Sequence, residues 1–214
     1  MSDVAEQVEG INADEAPIAK KKSMPDKARL KQIAEYHGIR IMAYLAAFAA
    51  MDAWVVATSL PIAHVLSVIT ALVVGGYISG LFHEWGHFVG ARITRSRSPL
   101  TATPNGVFMF GFDTAKNSPR QFLSMSFGGP IGNWLLVAFV FFLIPLDSPG
   151  RVALFAMVLG KAVAVVIFEG PIISRTMKGG NPQEELDKQL NSGALNRGQI
   201  LGYLTTAAVW VLAV

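Results

Sequence analysis

The chain has 214 residues, of which 52% are hydrophobic and 15% are charged, whereas about a quarter of the residues in soluble domains carry a charge. This composition excludes an ordinary soluble domain, and a net charge of +3 gives no basis for nucleic-acid binding. The absence of cysteine excludes disulfides, iron–sulfur clusters and thiolate metal sites, so any metal ion would be held by His, Asp, Glu, Asn or backbone groups.

A polar segment, residues 1–37, precedes the apolar part of the chain, residues 38–214, and we treat the two as separate regions. The polar segment begins acidic and becomes basic, whereas a secretory signal peptide begins basic and continues at once into an apolar stretch. We expect residues 1–23 to be disordered. Residues 25–40 are interpreted either as a short helix lying on the membrane surface or as a solvated linker without lipid contact.

Five apolar segments follow, and about 20 residues are needed to cross a hydrocarbon core. They are residues 41–63, 64–93, 121–146, 152–174 and 198–214, the last of which is short. The stretches 64–82 and 121–146 contain no Asp, Glu, Lys or Arg. The sequence therefore predicts an all-α membrane protein with about five transmembrane helices in contact with a lipid bilayer.

The loop charges predict an orientation, because Lys and Arg favour the cytoplasmic side of short loops. The N-terminal segment is basic next to the first span, and basic residues also follow the second and fourth spans, namely Arg92, Arg95, Arg97, Arg175 and Lys178. One topology satisfies all the loops, with the N-terminus in the cytoplasm and the C-terminus outside. With the absence of cysteine, this pattern suits a bacterial inner membrane.

The sequence HEWGH at residues 83–87 is an HExxH motif at the end of the second apolar segment. Its spacing places His83 and His87 on one face of a helix, one turn apart, where both imidazoles can bind one zinc ion. Glu84 lies close enough to take a proton from a metal-bound water. The motif therefore predicts a catalytic Zn²⁺ site with Glu84 as the general base.

A catalytic zinc site needs a third protein ligand, and several residues are poor choices. His64 lies 19 residues before His83 on the same helix, about 28 Å away along the axis. His37 belongs to the polar segment, and Asp147 lies on the other side of the membrane in the topology above. Asp113 stays open as a choice, although it lies in a loop.

Glu169 is the favoured third ligand because it lies at the depth of the histidines. It precedes Arg175 by six residues, and His87 precedes Arg92 by five. Both side chains are thus roughly 8–9 Å inside the same basic boundary.

These residues carry a resemblance to a known family. The segments FHEWGHFVGARITR, SFGGPIGNW at residues 126–134 and FEGP at residues 168–171 resemble the site-2 protease family of intramembrane zinc metalloproteases, over about residues 73–178. The resemblance implies a three-helix metalloprotease core and the following residues: His83, His87 and Glu169 as zinc ligands, Glu84 as general base, and Gly129, Pro130 and Asn133 as a packing element beside the site.

The chain departs from the family pattern at two positions. The family usually has Asp as its third ligand, in an Asn-Pro-rich stretch that ends Leu-Asp-Gly. Here the acid is Glu169, and Lys161 stands eight residues earlier, where the family usually has Asn.

Lys161 needs a partner because an ammonium group within lipid is costly. It precedes Arg175 by 14 residues, and Asp52 follows Arg40 by 12, so helix rise places the two at similar depths. We therefore expect a buried Asp52–Lys161 ion pair. Two alternatives are that Lys161 points at the zinc site to polarise a substrate carbonyl, or that it extends towards the lipid headgroups.

Two short elements are predicted outside the spans. Residues 106–112 are β-prone, and an exposed strand edge near a protease site can hold an extended substrate by strand addition. The alternative is a strand or loop that only covers the cytoplasmic face. Asn181 followed by Pro182 is typical of a helix N-terminus, and predicts a short amphipathic helix to about Leu190.

The leading hypothesis is a zinc-dependent intramembrane endopeptidase that cleaves membrane-embedded or membrane-proximal segments of other proteins. The alternative is a non-catalytic relative that serves as a structural or assembly subunit of a membrane complex. Haem ligation is disfavoured, because two imidazoles on one side of one helix cannot occupy opposite axial positions.

Overall fold

The computed structural model describes residues 25–58 and 60–214, so the disorder expected for residues 1–23 lies outside the described residues. Six α-helices and a two-stranded sheet form this part of the chain. They are α1 (Asp26–Thr58), α2 (Pro61–Ile93), β1 (Leu100–Asn105), β2 (Phe108–Phe110), α3 (Pro119–Leu143), α4 (Pro149–Met177), α5 (Pro182–Asn191) and α6 (Ala194–Ala213).

Four of these helices, α1 to α4, are long and apolar enough to cross a membrane, and the protein is accordingly an α-helical membrane protein. The fifth predicted span corresponds to α6, which is not among the helices that meet this criterion. Asn196, Arg197 and Gln199 in its first two turns lower its hydropathy. Of the five predicted spans, the four that correspond to α1 to α4 are thus confirmed, and the fifth is not.

One interpretation of residues 25–40 was a separate short helix on the membrane surface, and the structure does not show such a helix. Residues 26–40 are helical, but they continue without a break into the first span as a single 33-residue helix, α1. No proline interrupts this helix, and Gly38 has helical backbone geometry within it. The expected boundary at residue 37 therefore falls inside a regular helix.

Helices α2, α3 and α4 pack against one another and form the centre of the bundle, while α1 packs on α2 and α6 packs on α4. The main apolar core includes Val74 of α2, Val140 of α3, and Leu154 and Val158 of α4. The helices therefore bury a shared apolar interior while their outer faces keep large exposed hydrophobic side chains, as a lipid environment permits.

Glycines bring α2 and α3 into direct backbone contact. A Cβ on Gly86 would overlap the carbonyl of Gly128, and a Cβ on Gly90 would overlap the carbonyl of Ser124. Because small residues allow transmembrane helices to approach closely, this pair of helices is held at a short separation beside the HEWGH segment.

The loops rich in Lys and Arg lie at one end of the bundle. Arg92 at the end of α2 pairs with Asp26 at the start of α1 at 2.9 Å, and Gln121 of α3 donates to the carbonyl of Thr94 at 3.1 Å. We call this the basic end. At the opposite end, the indole of Trp210 on α6 donates to the carbonyl at position 149, where α4 begins.

The strands form an antiparallel hairpin at the basic end, and its position differs from the prediction. The strands are residues 100–105 and 108–110, whereas a single β-prone stretch was expected at 106–112. Gly106 has a φ of +60°, which glycine adopts easily, and forms the turn with Val107. The hairpin packs Leu100 and Met109 against Ile33 of α1 and Phe88 of α2.

The expected Asp52–Lys161 ion pair is wrong. Asp52 accepts hydrogen bonds from Ser148 Oγ at 2.8 Å and Arg151 Nε at 2.7 Å. Arg151 is two residues into α4, ten residues before Lys161, which corresponds to about 15 Å along the helix. The prediction measured the depth of Asp52 from Arg40, on the assumption that Arg40 marks the membrane boundary. This assumption is wrong because Arg40 lies inside the continuous helix α1.

The short helix predicted after Asn181 is confirmed. The side chain of Asn181 accepts from the backbone N–H groups of Gln183 and Glu184, and Pro182 is the first helical residue. Glu185 of this helix, α5, pairs with Arg175 of α4 at 3.3 Å. This ion pair ties α5 to the end of α4.

Candidate metal centre

Helices α2 and α4 bring His83, His87 and Glu169 together. The Nε2 atoms of the two imidazoles are 2.9 Å apart, and Glu169 Oε1 is 3.0 Å from that of His83 and 3.2 Å from that of His87. All three side chains are largely buried, with 13 to 17% of their surface exposed. One carboxylate oxygen and two ring nitrogens thus converge on one point.

Helix α3 fixes the orientation of both rings. His87 Nδ1 lies 2.8 Å from the carbonyl of Met125, and His83 Nδ1 lies 2.9 Å from Asn133 Oδ1. The Asn133 amide donates its Nδ2 to the carbonyl of Ser79 at 3.0 Å, which leaves its Oδ1 towards the imidazole. Because a carbonyl oxygen only accepts, each Nδ1 must carry the proton that it donates.

The protonation of Nδ1 determines what the Nε2 atoms can do. A neutral imidazole with its proton on Nδ1 presents a lone pair at Nε2. The two Nε2 atoms and the Glu169 carboxylate are therefore three acceptors at mutual distances of 2.9 to 3.2 Å. A single proton satisfies only one of these contacts, whereas a metal cation satisfies all three.

The residues fit zinc. Two His and one Glu is a donor set of catalytic zinc sites, and bonds of about 2.0–2.2 Å in tetrahedral geometry place ligand atoms about 3.3 Å apart. The observed spacing is close to this value. Oε2 of Glu169 is also buried, and within residues 25–58 and 60–214 it has no hydrogen-bond partner, so it remains available to a ligand.

Gly129 of α3 makes room for the two rings. A Cβ at this position would overlap the Cε1 atom of His87 and would lie 2.6 Å from Cε1 of His83. Pro130 follows within the same helix and lines a cleft between α3 and α4 together with Phe127 and Val166. Of the expected packing element, Gly129 thus provides space and Asn133 provides a hydrogen bond, which the sequence did not predict.

Glu84 is half-buried, and its carboxylate forms no ion pair or hydrogen bond within the part of the chain that the structure describes. It lies on the same row of α2 as Gly80 and Phe88, four residues to either side. Both of these residues face the hairpin, since a Cβ on Gly80 would be 3.4 Å from Val107, and Phe88 stacks near Phe110 at 5.7 Å. The hairpin therefore runs along the face of α2 that carries Glu84.

His37 has a structural position near this hairpin. Its Nδ1 accepts from the indole N–H of Trp85 at 3.1 Å, and its Nε2 donates to the carbonyl of Gly106 at 3.2 Å. Almost no surface of His37 is exposed. It thus connects α1, α2 and the hairpin turn, and it lies outside the cluster, as expected.

The other residues considered as ligands also lie apart from the cluster. Asp113 caps the turn that follows the hairpin and pairs with Lys116, and this ammonium lowers the pKa of the Asp113 carboxyl. Asp147 pairs with Arg151 at the opposite end. His64 begins the second turn of α2, also far from the basic end.

Lys161 does not join the cluster. It precedes Glu169 by eight residues, about 12 Å along α4, and its ammonium lies over the ring of Tyr203 on α6, 5.4 Å from the ring centre. The proposal that it polarises a substrate carbonyl at the metal therefore has no support from its contacts.

The carbonyls of Met125 and Ser79 are participants that sequence reasoning missed. Backbone carbonyls carry no residue-type signal, and their roles depend on how α3 is rotated against α2. Only the small residues around them, which permit the close approach of these helices, hint at such contacts in the sequence.

No known family model matches this chain, and neither curated proteins nor solved structures provide a significant match.

Proposed function

We propose that the protein is a zinc-dependent endopeptidase that cleaves membrane-embedded or membrane-proximal segments of other proteins, as its resemblance to the site-2 protease family implies. The observation that carries this proposal is the convergence of three acceptor atoms from His83, His87 and Glu169 within 3.2 Å of one another. The donated Nδ1 protons leave both imidazoles ready to bind a cation, which a purely structural histidine pair does not require.

A bound zinc ion would supply a water of lowered pKa and would polarise the scissile carbonyl. Glu84, next to His83 in the sequence and without an ion-pair partner in the described residues, would take the proton from the attacking water. It would then return this proton to the amine leaving group. Asn133 and the carbonyl of Met125 would hold the rings in the tautomer that this chemistry needs.

The hairpin supports a route for the substrate. A peptide bond within a helix is shielded by its own backbone, so cleavage requires an extended segment. A two-stranded sheet leaves one edge of each strand unpaired, and this hairpin follows the row of α2 that carries Glu84. We propose that a substrate segment pairs with a hairpin edge and passes its backbone in front of Glu84.

The proposed location is a bacterial inner membrane, with the N-terminus and the basic end in the cytoplasm. The support is the concentration of Lys and Arg in the loops at that end. Cleavage would then occur close to the cytoplasmic headgroups. A cysteine-accessibility assay at an exposed position of each loop, in intact cells and after lysis, would test this orientation.

Metal analysis of the purified full-length chain tests the function. The wild type is expected to hold about one zinc per chain, and the Glu84→Gln variant should keep that zinc, because Glu84 is not a ligand. Glu169→Ala and His87→Ala should lose it. A wild-type protein that binds no zinc, at a zinc concentration that saturates other His₂Glu sites, would contradict the proposal.

Activity is tested in cells that express either the wild type or Glu84→Gln at equal levels. We expect new N-termini of membrane proteins with the wild type that are absent with the variant. Identical sets of N-termini would rule out a peptidase. If in addition a deletion phenotype is restored equally by both forms, the protein is a non-catalytic subunit of a membrane complex.

A further inference from the structure

Lys161 lies in the middle of a helix that is apolar enough to span the membrane. It follows the first residue of α4 by 12 positions and precedes Arg175 by 14, or about 18 and 21 Å along the axis. A lysine side chain extends about 6 Å from its Cα, so the ammonium cannot reach either end of helix α4. The ammonium instead lies over the ring of Tyr203 on α6, so its contact is with a neighbouring helix and not with the headgroups.

Polar groups of α6 lie beside Lys161. Tyr203 presents its ring to the ammonium, and Gln199, one turn earlier on α6, lines the same cleft between α4 and α6. The helices approach closely here because Gly160 and Gly202 meet, each in contact with the backbone of the other helix. This places Gln199 and Tyr203 at the depth of Lys161, near the middle of α4.

These side chains are open to the surroundings of the protein. Tyr203 is 54% exposed, Gln199 is exposed, and Lys161 is half-buried. Within residues 25–58 and 60–214, neither the Tyr203 hydroxyl nor the Gln199 amide forms a hydrogen bond with another residue. Such groups are rare on the surface of a transmembrane bundle, where tyrosine favours the membrane boundary.

The charge of Lys161 is not balanced in the part of the chain that the structure describes. Two carboxylates of the spans have other partners, since Asp52 pairs with Arg151 and Glu169 contacts both imidazoles. No carboxylate of the described residues lies within 4 Å of the Lys161 ammonium. A cation at this depth is costly, and such residues in membrane spans pair with opposite charges.

We propose that Lys161, Gln199 and Tyr203 form a docking site for a transmembrane helix of another protein that carries an Asp or Glu side chain near its middle. The ammonium, the phenol and the amide all donate hydrogen bonds, and a carboxyl group is the side chain that accepts from all three. The partner approaches from the lipid on the side where α6 covers α4. This site is separate from the metal centre, and the inference does not depend on peptidase activity.

The test uses the full-length protein with a donor dye on its N-terminus, reconstituted in phosphatidylcholine vesicles, which have no net headgroup charge. Two acceptor-labelled transmembrane peptides of Leu and Ala are compared, one with a single central Glu and one with Gln in its place. Energy transfer should show that the Glu peptide binds about tenfold more strongly to the wild type.

Variants assign this preference to the site. Lys161→Met should abolish the preference for the Glu peptide, and Lys161→Arg should retain it. The control Lys178→Met removes an exposed lysine just after α4 and should leave this preference unchanged. Tyr203→Phe and Gln199→Leu should each reduce it. Helical content and unfolding are checked for every variant by circular dichroism.

Equal binding of the two peptides by the wild type would overturn the proposal, whatever the behaviour of the variants. A preference for Glu that persists in a folded Lys161→Met protein would also overturn it. The same measurement on Glu84→Gln, with and without zinc, separates this site from the metal centre, because the preference should not change.

Discussion

Asn133 on α3 holds the imidazole of His83 on α2 through a 2.9 Å contact between its Oδ1 and the ring Nδ1. The amide is itself fixed, since its Nδ2 donates to the carbonyl of Ser79. One buried side chain thus determines both the rotation of the ring and the nitrogen that carries its proton. The lone pair of Nε2 then points to Glu169 and the second histidine.

Replacing Asn133 with Ala should lower zinc affinity by about 10- to 100-fold, because ligand orientation by outer partners contributes this much in metal sites. The affinity is measured by competition with a chromophoric chelator. The matched control is Asn196→Ala, an exposed asparagine at the start of α6, which should not change it. Unchanged affinity in Asn133→Ala would mean that the hydrogen bond does not position the ring.

Replacing Gly129 with Ala should abolish zinc binding while the helices still form. The new methyl group would occupy the space of both imidazole rings and force them away from Glu169. Gly170→Ala is the control, since a Cβ there meets only a Val166 methyl carbon at 3.9 Å and needs no movement. The two variants are compared by metal content after purification, and similar zinc retention would contradict the geometry of the site.

Replacing Asp52 with Asn should lower the free energy of unfolding by about 2 kcal/mol, because Arg151 would lose the buried carboxylate that it contacts at 2.7 Å. Asp147→Asn removes a more exposed carboxylate from the same Arg151 and should cost less than about 1 kcal/mol. Unfolding in mixed micelles measures both. If Asp147→Asn lowered the free energy of unfolding more than Asp52→Asn does, Asp147 and not Asp52 would be the principal partner of Arg151.

The junction of α4 and α5 should weaken in acid. The Lys188 ammonium and then the Arg175 guanidinium hold the pKa of Glu185 below its ordinary value of 4.5. The ionised carboxylate therefore stabilises the folded junction fully above about pH 4.5, and this contribution is lost as the pH falls through the lowered pKa.

We expect Glu185→Gln to reduce the hydrogen-exchange protection of α5 at pH 7 and to have little effect once the wild-type carboxyl is protonated. Glu184→Gln, at an exposed neighbour, should produce a smaller change at both pH values. An equal loss of protection at neutral and acidic pH would show that the charge of Glu185 is not the cause.

Several features follow from short-range properties of the chain. Apolar segments of sufficient length indicate four of the spans, and Asn181 with Pro182 indicates the start of α5, because both depend on residues within a few positions. The spacing of four residues between His83 and His87 places them on one helical face without reference to the rest of the fold. Counting helix rise from the basic loops was enough to select Glu169, which the structure brings to within 3.2 Å of them.

The same count failed for Asp52. Its depth was measured from Arg40, which lies inside the continuous helix α1 and marks no boundary, and an error of two or three turns was enough to select Lys161 instead of Arg151. The hairpin was also placed too late in the sequence, because its turn is set by Gly106 and by packing against α1 and α2 rather than by β propensity alone.

The sequence by itself determined that this is a helical membrane protein and that two imidazoles and a carboxylate lie at one depth, because hydropathy and helix spacing are local. Only the tertiary structure decided how those groups are oriented. The hydrogen bonds that the two imidazoles donate to Asn133 Oδ1 and to the Met125 carbonyl depend on the rotation and separation of α2 and α3. The space left by Gly129 depends on them too, and the contacts of the whole bundle fix both.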